Sequence, residues 1–302
     1  MIRVCAIDGG GAKGIIPLTV LREIEQKTGE PFYRLFDLVV GSSIGAILAG
    51  LLAANCLPAD SFLYSLKKDL PTIFKKRLRV PIFQPKYDRR KAEQFILSYL
   101  QNNFTMSQCL TKFMCTSVST SDGRTHFFKS WEDKDGKLNL TEAITRSFAA
   151  PLFFGGLLDK KEKTMWLDGG IGLHNCPLDK TYIEVLRQKW ENEQVHILSL
   201  GCGSSNYSVP FDKVKRFFNI RQILFYNNPV EGGLAREQST QEQVSSFKDI
   251  VKSHPNMTFQ RLDILDMPKK ENGLDKVKYI NRYERYGIEL SRKIDYNLLF
   301  ER

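Results

Sequence analysis

The segment Phe36–Leu52, FDLVVGSSIGAILAGLL, constrains this chain more than any other. The apolar run Leu38–Val40 turns through Gly41-Ser42-Ser43-Ile44-Gly45 into a run of small apolar residues. That order predicts a strand, a tight turn and a buried helix, the G-x-S-x-G elbow that presents a serine hydroxyl at the mouth of a sheet. Gly41 and Gly45 belong to the turn because strand and helix approach so closely there that a Cβ would collide. Ser43 is the candidate nucleophile, beside a helix N-terminus whose free N–H groups favour developing negative charge. Taken alone, the same five residues also describe an ordinary strand-to-helix turn with two incidental serines, so the choice rests on the remainder of the chain.

A second glycine cluster precedes the elbow. Val4–Ile7 is β-prone and runs into Asp8-Gly9-Gly10-Gly11-Ala12-Lys13-Gly14, after which apolar spacing predicts a helix over 15–28 closed by Gly29. The spacing of Gly9, Gly11 and Gly14 matches G-x-G-x-x-G, which admits a dinucleotide-binding module as an alternative. That fold needs an acidic residue at the end of the second strand, where this chain has Gly41-Ser42-Ser43. A P-loop is excluded by spacing and by the absence of Ser or Thr after Lys13. A loop of this kind also exposes consecutive backbone N–H groups, and for acyl transfer such a nest is an oxyanion hole.

Charge and cysteine usage narrow the class. Forty-four Lys and Arg against 34 Asp and Glu give +10 over 302 residues, which favours anionic partners such as phospholipid surfaces, nucleotides or nucleic acid. Six scattered cysteines without a C-x-x-C pair suit reduced core residues in an intracellular protein. No secretory signal pattern follows Met1, and the longest apolar run, 44–57, is too short to cross a bilayer, so membrane contact is expected to be peripheral.

Residues 67–91, KKDLPTIFKKRLRVPIFQPKYDRRK, carry ten Lys or Arg and three prolines, with Phe74, Phe83 and Tyr87 interleaved. They read either as a basic, aromatic-tipped rim facing an anionic membrane or as a solvated loop whose aromatics pack inward. The prolines predict loops followed by a helix over 89–100. Strands are expected at 113–119 and 125–129 around the turn Ser121-Asp122-Gly123, a helix over 140–150 stopped by Pro151, and further strands at 164–167 and 195–200. The 164–167 strand ends in Asp168-Gly169-Gly170, which places a carboxylate where α/β sheets hold ligands; alone, it is also a common turn. Asn175 is expected to orient the loop that follows. Beyond 206 the pattern is mainly helical, at 211–226, 231–252 and 282–299, with a polar linker at 268–273.

Asp8-Gly9-Gly10-Gly11-Ala12-Lys13-Gly14, Gly41-Ser42-Ser43-Ile44-Gly45 and Asp168-Gly169-Gly170, in this order, resemble the patatin-like phospholipase family over residues 3–203. The resemblance implies an α/β fold, three-layer α/β/α with a mainly parallel central sheet. It divides the chain into a hydrolase core, 1–205, and a mainly helical region, 206–302, packed on or covering that core. It implies a lipid acyl hydrolase without cofactor or metal, calcium-independent because no acidic cluster resembles a calcium loop. Ser43 would attack the acyl carbonyl and Asp168, partly desolvated, would act as general base and acid. The oxyanion hole falls to Gly9, Gly10, Gly11 and Gly14, above all to the N–H groups of Gly10 and Gly11. Asp8, Lys13, Gly41, Gly45, Gly169 and Gly170 support the motifs. Lys13, where many relatives carry arginine, either attracts a phosphate or is a solvated loop charge. The partners implied are a phospholipid or other acyl lipid, an anionic membrane met through 67–91 and, in a competing reading, a small nucleotide that gates the enzyme; nucleic acid is not expected. An ordinary α/β-hydrolase would instead require a histidine downstream, for which His174 is the serious candidate, ahead of His196 within a strand and His254 in a polar loop.

Overall fold

The computed structural model describes residues 1–77, 84–205 and 233–300. Phe83 and the expected helix over 211–226 lie outside them. Eight strands form one sheet: β1 (Ile2–Ile7), β2 (Leu38–Gly41), β3 (Lys112–Ser119), β4 (Thr125–Lys129), β5 (Leu157–Asp159), β6 (Thr164–Asp168), β7 (Val195–Leu200) and β8 (Met257–Leu262). Their order is β5-β6-β3-β2-β1-β7-β8, with β4 paired to β3. Strands β3, β2, β1, β7 and β8 are parallel, and β4, β5 and β6 add antiparallel pairs.

The central strands are buried on both faces, and their side chains alternate between two cores. Cys5, Ile7, Val39 and Leu198 face one core, shared with the helices Ile15–Thr28, Ile44–Ala53, Ala59–Ile73, Leu140–Phe148 and Ile280–Ser291. Val4, Ala6, Leu38, Val40 and Ile197 face the other, with the helices Leu178–Arg187 and Gly233–Lys252. The arrangement is the expected three-layer α/β/α sandwich.

The chain runs from β1 outward through β2 to β3 and later returns to the far side of β1 as β7 and β8. The order therefore reverses beside β1, and crevices at such reversals, outside the carboxyl ends of the strands, are where these sheets hold ligands. The glycine loop leaves β1 at that place.

Two expectations need correction. The last third is not only helical: β8 pairs with β7 through six residues, from Val195↔Met257 to Leu200↔Leu262, so this part of the chain enters the sheet itself. The alternation of MTFQRL is blurred because β8 is an edge strand whose middle residues are only half-buried. Nor do the prolines of 67–91 start a loop at once, since Pro71 lies within the helix Ala59–Ile73. Phe74 and Tyr87 are not aromatic tips. Tyr87 is 2% exposed, and the two rings meet edge to face at 5.1 Å.

The elbow depends on backbone contact. A Cβ on Gly41 would lie 2.3 Å from the carbonyl carbon of Gly45, and one on Gly45 would lie 2.3 Å from the Ile7 carbonyl oxygen. Gly29, the left-handed cap of the first helix at φ +71°, has nothing within 4 Å of its own missing Cβ. Gly41→Ala is therefore expected to cost about 3 kcal/mol or more, because backbone has to move. Gly29→Ala should cost only about 1 kcal/mol of dihedral strain. Urea unfolding of both variants checks the contrast.

His196 gives the fold a pH dependence. It sits on β7, 1% exposed, with Nδ1 at 2.9 Å from Thr258 Oγ1, and burial pulls its pKa down to about 4. Between about 6.5 and 4 the unfolded chain binds a proton that the folded chain refuses, so stability falls as pH drops through that window. Unfolding curves from pH 7 to 4 should steepen this loss in the native chain by up to about 3 kcal/mol relative to His196→Gln.

Candidate active site

Ser43 is held in a conformation that serine rarely adopts. Its φ is +54° and ψ −120°, strain worth about 1–3 kcal/mol that only dense surroundings sustain. The surroundings are the Gly41–Gly45 contact, the wholly buried helix Ile44–Ala53 and a hydrogen bond from the Ser43 N–H to Ser147 Oγ at 3.0 Å. The Ser43 hydroxyl donates to Asp168 Oδ2 at 2.6 Å, across 125 positions of sequence.

The sheet explains how these two meet. Cys115 pairs with Gly41 and with Phe128, while Ser117 pairs with Asp168 and with His126. A strand has two edges, so β2 and β6 share one edge of β3, with β4 along the other. β2 leaves that edge at Gly41, and antiparallel β6 arrives there and ends at Asp168. Thr116 lies between them, its hydroxyl donating to Ser42 Oγ at 3.0 Å. A Cβ on Gly169 would fall 1.9 Å from Thr116 Oγ1, so the residue after Asp168 has to be glycine. Asp168 is 6% exposed, and its Oδ1 accepts the Gly170 N–H at 2.7 Å. Each carboxylate oxygen thereby has its own donor, which fixes the rotamer.

The glycine loop closes over Ser43. A Cβ on Gly9 would lie 3.0 Å from Ser43 Cβ and 2.5 Å from Asn175 Oδ1, and one on Gly14 would lie 2.3 Å from Ile44 Cγ1. The Gly9 N–H donates to the Asn175 carbonyl at 3.1 Å. Gly9 and Gly14 are thus close-packing positions. The N–H groups of Gly10 and Gly11 carry no hydrogen bond among the described residues, and Gly11 lines the same pocket as Ser43. Of the four glycines expected at an oxyanion hole, these two have N–H groups open to a ligand among the described residues. Asn175, buried at 6% exposure, anchors the glycine loop through its backbone carbonyl, whereas the sequence pointed only to the loop in which it lies.

Lys13 is neither a solvated charge nor a free phosphate ligand. It is 5% exposed, and its ammonium donates to the Gly203 carbonyl at 2.8 Å and to Asn272 Oδ1. Leu274 adds a second tie, its carbonyl accepting the Ala12 N–H at 2.7 Å. Below the loop, Asp8 forms a bidentate bridge to Arg261 at 3.0 and 2.6 Å, and Arg261 also reaches Asp263 at 2.7 Å. Burial pushes the Asp8 carboxyl up against the pull of Arg261. Burial also opposes the charge on Arg261, yet the Asp8 and Asp263 carboxylates hold its pKa well above the ordinary value. Ser147, Arg261, Asn272 and Leu274 went unnoticed in the sequence, where no motif or spacing marks them.

None of the downstream histidines touches Ser43. His174 Nδ1 sits 3.1 Å from Asp179 Oδ1 with its ring edge-on to Phe127, His196 is inside β7, and His254 meets Tyr182. A narrow pocket opens at Ser43 and Gly11 and is otherwise walled by apolar side chains, among them Ile47, Leu66, Leu70, Phe95, Phe148 and Phe154.

Removing Arg261 would leave two carboxylates buried without a counter-charge. Arg261→Met is expected to lose about 3–5 kcal/mol of stability. The double variant Arg261→Met/Asp8→Asn should recover part of that loss, which urea unfolding of the single and double variants reads directly.

The model of the family described as patatin-like phospholipase matches residues 5–182. A cGAMP-activated phospholipase of Escherichia coli (strain TW11681) is 29% identical over 236 residues, 69% of this chain and 64% of that protein. A cGAMP-activated phospholipase of Vibrio cholerae is 26% identical over 244 residues, 69% of this chain and 66% of that protein. The chain thus spans slightly less than two thirds of the length of these relatives. A calcium-independent phospholipase A2-gamma of Oryctolagus cuniculus is 28% identical over 196 residues, 58% of this chain and 25% of that protein. With the family model covering more than half of the chain, this protein belongs to the patatin-like phospholipases.

Proposed function

We propose that this chain is a serine lipid acyl hydrolase of the phospholipase A type that works through a Ser43–Asp168 dyad. The observation that carries the reading is the 2.6 Å hydrogen bond from Ser43 Oγ to Asp168 Oδ2 at the mouth of an apolar pocket. In the reaction Asp168 takes the hydroxyl proton as Oγ attacks the acyl carbonyl. The N–H groups of Gly10 and Gly11 receive the oxyanion, fixed donors that need no reorganisation as charge develops. Collapse of the tetrahedral intermediate expels the alcohol, to which Asp168 returns the proton. Water, activated by the same carboxylate, then releases the fatty acid from Ser43. The apolar pocket suits an acyl chain, and the six free thiols suit a reducing compartment. In this reading residues 1–205 carry the chemistry and the segment 261–275 braces it.

The names of the relatives favour a second reading, in which a cyclic dinucleotide gates the same reaction. Under it the purified chain would be silent on phospholipid vesicles until the nucleotide is added. Activity of the apo chain on vesicles would remove the gate and leave the hydrolase.

Ser43→Ala and Asp168→Asn are each expected to lower fatty-acid release by about 10⁴-fold or more while leaving the unfolding midpoint close to that of the native chain. A fluorophosphonate should label Ser43 in the active protein, located by mass spectrometry. An adduct elsewhere in a turnover-competent sample, or near-normal turnover by either variant, would refute the dyad.

A further inference from the structure

We propose that the hairpin of β5 and β6 is the docking element that seats this chain on an anionic lipid surface beside its pocket. Eleven large apolar side chains are exposed among the described residues, and five of them, Leu152, Leu158, Met165, Ile171 and Leu173, fall between 152 and 173. The hairpin holds a matched pair: Leu158 and Met165 are directly opposite each other, 62% and 38% exposed. Cross-strand neighbours lie only about 5 Å apart, so the two side chains form one apolar patch.

The tip of the hairpin, Asp159-Lys160-Lys161-Glu162-Lys163, sorts its charges by direction. Asp159 Oδ2 accepts from Arg146 at 2.9 Å and Glu162 Oε1 lies 3.5 Å from it, while the Arg146 side chain is only 3% exposed. Asp159 Oδ1 also accepts the N–H groups of Lys161 and Glu162, both at 2.9 Å. Lys163, in the left-handed region at φ +52°, completes the turn. The two carboxylates are thus committed to a buried guanidinium. Lys160, Lys161 and Lys163 are exposed and make no ion pair among the described residues.

An apolar pair bordered by unpaired lysines matches the boundary of an anionic leaflet, where head-group phosphates meet ammonium groups and the acyl region takes the apolar side chains. A second copy of the chain suits the tip less, because three like charges would face three. The hairpin is also near the site along the chain, with its apolar pair on the face of β6 opposite that of Asp168. β6 continues from Met165 to Asp168, roughly 10 Å along the strand, and the chain entering β5 carries Phe148 and Phe154 of the pocket wall. This use of the hairpin rests on the lipid-hydrolase reading, although the docking itself does not require it.

The test is flotation of the full chain with equimolar phosphatidylcholine–phosphatidylglycerol vesicles and with phosphatidylcholine alone, alongside turnover of a soluble short-chain ester. Native protein should float with the anionic vesicles and be released by salt. Lys160→Glu/Lys161→Glu/Lys163→Glu should bind at least about 10-fold more weakly, and Leu158→Gln/Met165→Gln should also lose binding. Both variants should turn over the soluble ester as the native chain does. Variants that float like the native chain would overturn the proposal. So would native protein that ignores vesicles but self-associates through a patch that the variants lose. Anionic binding without any esterase activity, whether or not a cyclic dinucleotide is added, would uphold the docking and refute the hydrolase.

Discussion

The site turns on one edge of β3. A single strand carries β2 up to Cys115 and receives β6 from Ser117, so the end of one strand and the end of another face each other across Thr116. Nothing about Ser43 alone brings a carboxylate to it. What brings Asp168 there is the departure of β2 into the elbow, which vacates the edge, and an antiparallel strand that fills it and stops. The buried Thr116 hydroxyl bonds the elbow through Ser42 and stands against Gly169, so it senses both halves of the pair. Motif spacing and sheet topology are here one constraint.

A second constraint comes from the part of the chain beyond the family match. The glycine loop is a flexible sequence, yet it is clamped from below and from the side. Asp8 is clamped by Arg261 of β8, Lys13 by Gly203 and Asn272, and Ala12 by the Leu274 carbonyl. Burying three charges is costly, and apolar residues of similar volume would often stabilise as well. The bridge has a second consequence: it sets where β1 ends and therefore where the Gly10 and Gly11 N–H groups lie. The segment 272–275 extends the same brace outward, because Asp275 accepts from the Tyr87 hydroxyl at 2.6 Å and pairs with Lys86. Glycine loop, basic segment and C-terminal residues are mechanically joined.

What was legible in the sequence follows from range. The elbow, the glycine loop and Asp168-Gly169-Gly170 are written in residues adjacent along the chain, where glycine is required by local crowding, so their glycines announce them. The alternating strands and the helix capped by Gly29 were legible for the same reason. Partners that act from a distance were not. Arg261 looks like any arginine of an amphipathic edge strand, and Ser147 like a polar residue near a helix end. Lys13 was misread because a lysine in a glycine loop is ordinarily solvated, and its burial depends on Asn272, 259 positions away. Phe74 and Tyr87 followed the same rule: composition marked them as notable, but only the fold decides which way a ring points.

The strain at Ser43 links these observations to the chemistry. A serine at φ +54° tends to relax, and relaxation would swing Oγ away from Asp168. The hydrogen bond from its N–H to Ser147 Oγ opposes that motion from the side of the helix Leu140–Phe148, while Gly41 and Gly45 oppose it from the strand side. Ser147 also immediately precedes Phe148, which walls the pocket. One helix end therefore holds the Ser43 hydroxyl in its strained pose and shapes the apolar wall of the pocket beside it. The pose of the hydroxyl and the shape of the pocket wall rest on the same packed turn, so a disturbance there would be felt by both.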